Sequence, residues 1–404
     1  MKRVLMLVEN LPAPFDRRVW QEAEALRDAG YEVSIICPTG PGCERRFEVL
    51  DAIHIYRYPL PLEADGALGF VLEYAAALAQ TFWLAWRVFL TRGFDVIHAC
   101  NPPDLFFLIG ALFKLLGRKF VFDHHDLNPE LYEAKFGRRG LLYRLLAGLE
   151  YLSFRTADVS IATNLSYARI AAQRGGMAPE RVFVVRSGPD LERIRIQPPE
   201  PRLKRGRRIL VGYVGVMGRQ EGIDYLLRAA HHLVHYYGCR DIHFGLVGGG
   251  PVLAEMQALA ASFGVSDYVT FTGRVPDAEL LAMLNTADLC VNPDVSNEMN
   301  DKSTMNKVME YMALGKPIVQ FDLTEGRYSA REAALYARPN DAFDLAEKIL
   351  QLAEDAELRA AMGAYGRRRV ERELEWRHQA PRLLETYAAL WPAAGEAPAA
   401  GEAR

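Results

Sequence analysis

VNPDVSNEMNDKSTMNKVMEYMALGKPIV, Val291–Val319, holds the end of a strand, a polar loop, a helix and the next strand. Met305–Leu314 reads as the helix, entered through the N-cap formers Ser303 and Thr304 and ended by Gly315, with Pro317 beyond. A helix between two buried β-branched runs predicts a crossover joining parallel strands. Its first turn would present free N–H groups and the positive end of the helix dipole, a setting for an anion. Lys307 and Glu310 are three residues apart and so share one face near that end. A lysine there suits a diphosphate, and a glutamate one turn deeper suits paired ribose hydroxyls.

The same alternation runs outward in both directions. Toward the N-terminus it begins with RVLMLV (Arg3–Val8), a helix over Asp16–Ala29 closed by Gly30, and EVSIIC (Glu32–Cys37). IHIYRY, VIHA, FVFD, VSIA and VFVV follow as further short strands. Residues 188–208, GPDLERIRIQPPEPRLKRGRR, are proline-rich, charged and aperiodic, and read as an interdomain linker. Alternation then restarts at ILVGYV (Ile209–Val214) and continues through HFGLVG, VTFTG, LCVN and PIVQF. The expectation is two doubly wound α/β domains in tandem, residues 1–190 and 205–376. A final helix over Gln379–Leu390 lies within a crossover segment 377–392, and residues 393–404 read as a disordered, low-complexity tail.

Composition removes several classes. The 404 residues are half hydrophobic and a quarter charged, with a net charge of −3, which argues against a global nucleic-acid binder. Five scattered cysteines without a CxxC pair indicate neither a disulfide framework nor a zinc cluster. The first strand follows Met-Lys-Arg with no apolar leader, so a reduced cytoplasmic compartment is expected. Three apolar stretches, residues 67–90, Leu105–Gly117 and Arg138–Arg155, either pack on the first sheet or touch a membrane surface, and none reads as a span.

In open parallel sheets, ligands gather beyond the carboxyl ends of strands. After the first strand stands ENLPAPFDRRVWQE (Glu9–Glu22), with the triplet Asp16-Arg17-Arg18 at a helix start. FVFD leads into His124-His125-Asp126-Leu127-Asn128-Pro129-Glu130, where an adjacent carboxylate can set the charge and tautomer of a histidine. The second domain opens with Gly212, Gly215, Gly218, Arg219 and Gly222, and a second glycine loop follows at Gly248-Gly249-Gly250-Pro251. Such glycines let a backbone approach a phosphate, and an adjacent arginine can clamp it. The spacing GxxGxxG differs from the dinucleotide fingerprint, which argues against a dehydrogenase.

MEYMALGKPIV, LVGGGP, VTFTGRV and GYVGVMG, together with VENLPAPFDRRVWQEAEALRDAGYEVSIICP, resemble the retaining glycosyltransferases of family 4, also called group 1, over roughly residues 1–392. The resemblance implies the GT-B fold, two Rossmann-like domains facing across a cleft. It implies transfer of a sugar from a nucleoside diphosphate, UDP or GDP, to an acceptor with retention of configuration and with no metal or other cofactor. On matching positions it makes Glu310 the ribose-holding second glutamate of the Glu-x7-Glu motif and gives Lys307 and Arg219 to the diphosphate. Gly215 matches the glycine of the first donor-domain loop. Gly249, Ser303 and Thr304 join these as donor-side candidates, and Arg274 with Val275 falls where the nucleobase is framed. His125, with Asp126, stands where the family's first-domain histidine points at the donor sugar. Lys302 replaces the motif's first glutamate with Asp301 beside it, so those two are the remaining catalytic candidates. Glu221 stands where many relatives carry a lysine, and Pro12–Asp16 replaces their glycine pair.

Cleaving a glycosyl–phosphate bond builds negative charge on the diphosphate, which preplaced cations and N–H dipoles stabilise. With no carboxylate at 302 to serve as a nucleophile, same-face attack is expected over double displacement. The expected partners are a nucleotide-sugar donor and a glycan or lipid-linked acceptor, with peripheral membrane contact on the inner face and no nucleic acid. The expected process is synthesis of exopolysaccharide, O-antigen or another envelope glycan. A nucleotide-sugar 2-epimerase of the same architecture and a non-catalytic nucleotide-sugar sensor are the rival readings.

Overall fold

The computed structural model describes residues 1–59 and 66–391, with the side chains of residues 66–73 left out. The tail expected at 393–404, and Phe70 and Glu73 of the first apolar stretch, lie outside that description. The chain divides into two compact units, Met1–Ser187 with the segment from Gln379 onward, and Gly188–His378.

Unit 1 is an eight-stranded sheet of β1 (Arg3–Leu7), β2 (Glu32–Pro38), β3 (Phe47–Leu50), β4 (Ile53–Tyr58), β5 (Val96–Cys100), β6 (Lys119–His124), β7 (Val159–Ala162) and β8 (Val182–Val184). Its order is β3-β4-β2-β1-β5-β6-β7-β8. All neighbours are parallel except β3, which runs antiparallel to β4 at the edge. The sequence pattern did not reveal β3. Its hairpin turns on Asp51 and Ala52, both at positive φ, the geometry that Asn-Gly or Asp-Gly normally signals. Every residue of β5 is buried, as expected for a strand covered on both faces. The helices Gly66–Thr91, Phe107–Leu115 and Leu141–Thr156 bring Trp86, Phe113 and Phe154 against Phe94, Phe120 and Phe122. No described helix is long and apolar enough to cross a membrane.

Unit 2 is a six-stranded, fully parallel sheet of β9 (Ile209–Val214), β10 (Ile242–Val247), β11 (Val269–Gly273), β12 (Leu289–Asn292), β13 (Ile318–Phe321) and β14 (Ala334–Ala337). Its order is β11-β10-β9-β12-β13-β14. Alternate residues of β9 serve two cores. Ile209, Val211 and Tyr213 pack with Leu226, Phe244 and Ile349, whereas Leu210 packs with Cys290, Met309 and Tyr311. The short run β14 also went unread in the sequence.

The stretch 188–208 is no free linker. It belongs to unit 2, where Ile194 is buried and Asn285 donates to Arg195 O at 3.1 Å. Leu191, Arg193, Ile194, Leu203 and Lys204 all anchor it through their side chains, so a proline-rich composition hid a docked strap. The C-terminal helix, Trp376–Ala388, returns the chain to unit 1, where Tyr387 is fully buried against His98 and Tyr31.

Strand order fixes where ligands go. In unit 1 the order reverses between β1 and β5, and in unit 2 between β9 and β12, so loops after these strands diverge and leave a crevice.

Candidate functional site

In unit 2 the loops after β9 and β10 are tied to each other by their backbones. Gly215 N donates to Val247 O, Met217 N to Gly249 O and Val252 N to Met217 O, all within 3.2 Å. A Cβ on Gly248 would sit 1.9 Å from Gly215 O, and one on Gly222, at φ +65°, 1.9 Å from Pro293 O. These glycines are therefore needed first for chain-to-chain approach. Gly249 is different: the nearest atom to its added Cβ would be Arg274 N at 3.8 Å, so its open side faces the start of the loop after β11.

Glu221 from the loop after β9, Asp294 just after β12, and Lys307 on the helix Asn306–Ala313 meet at the reversal point. Lys307 Nζ donates to Glu221 Oε2 at 2.5 Å and to Asp294 Oδ1 at 2.9 Å, and lies 5.0 Å from the Tyr213 ring centroid. Tyr213 OH donates to the same Glu221 oxygen. Burial works against the charged lysine, but Asp294, Tyr213 and Glu221 outweigh it and hold the ammonium charged. Burial, with help from Glu221 and against Lys307, pushes the Asp294 carboxyl up to about 7. A Cβ on Gly215 would come 2.6 Å from Tyr213 OH and 3.4 Å from Lys307 Nζ, so the loop lies against this cluster where only a glycine fits without a shift.

The helix begins one residue later than its sequence suggested, and Ser303 and Thr304 are not its caps. Its N-cap is Met305, which offers no side-chain acceptor to the first turn. Ser303 instead ends the short helix Glu298–Lys302, donating its hydroxyl to Met299 O at 2.7 Å, and Thr304 is half-buried in the connection. Asp301 accepts from Thr324 through both oxygens, at 2.8 and 3.0 Å, tying down the start of the helix Thr324–Ala330. Lys302 donates to Glu298 one turn back.

Glu310 lies one turn beyond Lys307, partly buried, and accepts from Arg193 Nη2 at 3.2 Å. Arg193 was hidden in the segment that read as a linker. Arg219 is largely exposed and pairs with Glu255 on the surface, so the clamp expected in that loop points at another side chain. Arg274 is exposed just past β11, and Val275 packs on the core behind the helix of Lys307.

Unit 1 carries a second buried cation at its own reversal point. Arg18, from the first turn after the β1 loop, donates to Asp123 at 3.0 Å, lies 2.9 Å from Glu22 and donates to Val185 O. Burial alone would raise Asp123, but Arg18, then His125 and His98, pull its carboxyl well below the usual range. Burial pushes Glu22 well above it, against the pull of Arg18. His125 Nε2 is 2.5 Å from Asp123 Oδ2 and 2.9 Å from Arg18 Nε. One nitrogen cannot both donate and accept there, and a lone pair that close to a carboxylate would be repelled. The proton therefore sits on Nε2 and is donated to Asp123. On the other side His98 donates to Asp123 and accepts from Tyr387 OH at 2.7 Å. Asn101 Oδ1 receives the backbone N–H groups of His125 and Asp126, and its Nδ2 donates to Asp126 O.

The neighbours of His125 in sequence have other tasks. His124 lies 3.1 Å from Glu150, and Arg174 bridges Glu130 and Glu150, which locks three helices together. Among the described residues, Glu22, His98, Cys100 and Asp123 bring potential metal-ligand atoms within 4.8 Å of one another. Arg18 already lies between Glu22 and Asp123, Glu22 favours its neutral form, and burial drives the Cys100 thiol well above its ordinary range. That donor set does not suit a resident cation.

The Asp294 proton is held more tightly in the folded protein than in the unfolded chain. Its contribution to stability is therefore complete below about pH 4 and is lost as the pH rises toward 7. Urea midpoints should show the wild type losing stability relative to Asp294→Asn between pH 4 and 7. A pH-independent difference would contradict this assignment.

Residues 16–193 match the family described as Glycosyltransferase Family 4, and residues 208–355 match Glycosyl transferases group 1. The chain is 25% identical to the 2-deoxystreptamine glucosyltransferase of Streptomyces kanamyceticus, over 85% of this chain and 92% of that protein. Its fold is shared with the sucrose-phosphate synthase of Thermosynechococcus elongatus, at a TM-score of 0.78, 19% identity, and coverage of 96% and 99% of the two chains. It is also shared with Anabaena Alr3699/HepE, solved with UDP and glucose, at a TM-score of 0.72, 17% identity and coverage of 96% and 100%. Two parallel-sheet domains of the GT-B type, matched in sequence across both units, make this chain an enzyme of the family 4, group 1 glycosyltransferases.

Proposed function

We propose that this glycosyltransferase draws its sugar from a nucleoside diphosphate sugar, with unit 2 as the donor-holding half. The observation that carries the proposal is Lys307. Its ammonium stands beside a bare glycine loop and near the start of a helix whose N-cap residue is Met305, with Glu310 one turn deeper. A diphosphate would meet a cation and free N–H groups together, and Glu310 would accept from the ribose hydroxyls. Of the two carboxylates on Lys307, Glu221 is the more exposed and sits on the loop, so it is the one a diphosphate would replace. Arg274 and Val275 are proposed to border the base, with Gly249 beneath them. The Anabaena protein solved with UDP and glucose shares the fold, which supports a nucleotide donor here.

In the proposed same-face reaction the bond from C1 to the phosphate oxygen breaks and its electron pair leaves with the diphosphate. The acceptor oxygen bonds to C1 from the side being vacated, and its proton passes to the departing phosphate oxygen. Lys307 and the helix N–H groups stabilise the charge where it develops, and no metal is invoked. Within unit 1, His125, held through Nε2 by Asp123, is proposed as a substrate-facing group. A panel of UDP-, GDP- and ADP-sugars, followed by chromatography and by NMR of the anomeric product, tests this. One donor should be consumed with retention, EDTA should leave the rate unchanged, and Glu310→Gln should lower kcat/KM by about tenfold or more. Consumption of none, or an inverted product, would overturn the proposal.

We further propose that the acceptor is a glycan or lipid-linked glycan at the cytoplasmic membrane face, in envelope polysaccharide synthesis. The helices Phe107–Leu115 and Leu141–Thr156 expose Leu115, Leu141 and Leu145 beside Arg138, Arg144 and Arg155. Exposed apolar side chains on helices that also expose cations suit an anionic bilayer surface. Sedimentation with phosphatidylglycerol vesicles should retain the wild type and release Leu141→Asp/Leu145→Asp. Equal retention of both would refute this surface.

A further inference from the structure

The strap at the start of unit 2 is held more firmly than its composition suggests. Asp190 accepts from Glu192 N through Oδ1 at 2.7 Å and from Ile194 N through its carbonyl at 2.8 Å. Ile194 is buried in the core that contains Met309 and Tyr311. Beyond it, Asn285 donates to Arg195 O and accepts from Gln197 N at 2.9 Å. The backbone of Arg193 is thus pinned from both sides. Its guanidinium donates through Nη1 to Asp277 Oδ2 at 2.9 Å and through Nη2 to Glu310 Oε1 at 3.2 Å. Asp277, at the first residue of the helix Asp277–Thr286, fixes one edge of the planar fork, which leaves the other edge aimed at Glu310. Both partners stay partly in water, so the pair adds only modestly to stability and its geometry matters more than its strength.

We infer that Arg193 is a positioning residue that orients the Glu310 carboxylate toward the ribose diol and so sets the preference of the site for ribose over deoxyribose. The inference rests on the reading of Glu310 as the ribose-holding group. A carboxylate that swings freely accepts two neighbouring hydroxyls poorly. One held through Oε1 presents a fixed plane to them.

Calorimetric titration of the full chain with UDP, ADP and GDP, each beside its 2′-deoxy form, separates the two claims. The wild type should bind one ribonucleotide about tenfold more tightly than its deoxy partner. Arg193→Ala should weaken that ribonucleotide by about fivefold or more, leave the deoxy form within about twofold, and so collapse the preference. Arg193→Lys, which keeps the charge but not the fork, should recover only part of it. Equal weakening of both forms by Arg193→Ala, or no change in either, would overturn the role of Arg193 while leaving that of Glu310 intact. A wild type without ribose preference, or a Glu310→Gln variant that retains it, would overturn the reading of Glu310 and the inference with it.

Discussion

A single ammonium, Lys307 Nζ, joins three segments of unit 2 that are far apart in sequence. It ties the loop after β9 through Glu221, the end of β12 through Asp294, and its own helix to both. Tyr311, one turn along, adds a second tie by accepting from Val214 N at 2.9 Å. A lysine that lost both carboxylates would stand uncompensated in a largely buried place, at a cost of about 3–5 kcal/mol. The loops are held at the place where strand order reverses, and the tight glycine stacking beneath them follows from that approach.

Unit 1 solves the same problem with different residues. Arg18 lies between Asp123 and Glu22 at the reversal beside β1, much as Lys307 lies between Glu221 and Asp294 beside β9. In each case one of the two carboxyls is pushed toward its neutral form by burial, so one cation is matched by about one anion. The guanidinium has more donors than the ammonium and uses them on Val185 O and Ser187 as well. Asp123, kept ionised in this way, can hold His125 and His98 at once, and through His98 the network reaches Tyr387 on the returning C-terminal helix.

The repeating α/β pattern was readable because parallel strands buried on both faces are β-branched runs whatever their surroundings. IHIYRY and ILVGYV coincide with β4 and β9. The edge strand β3 was not readable, since an Asp-Ala turn carries none of the usual hairpin residues. At the site, Lys307 and Glu310 were legible from helix spacing and Arg18 from its place at a helix start. Asp294, Arg193, Asn101 and Tyr387 were not, because each acts across a long sequence distance on a partner that only the fold brings near. The contacts of Asp301 with Thr324 were illegible for the same reason, being a matter of packing rather than of chain order.

The central claim, that the Lys307 ammonium is the cation for a donor diphosphate, is tested most directly against a background that removes its competing counter-ion. Affinities of nucleoside diphosphates and monophosphates would be compared in Glu221→Gln and in Glu221→Gln/Lys307→Met. The account predicts that Glu221→Gln prefers the diphosphate by about tenfold or more and that the added loss of Lys307 brings the two ligands close to equal. An undiminished diphosphate preference without Lys307 would contradict it.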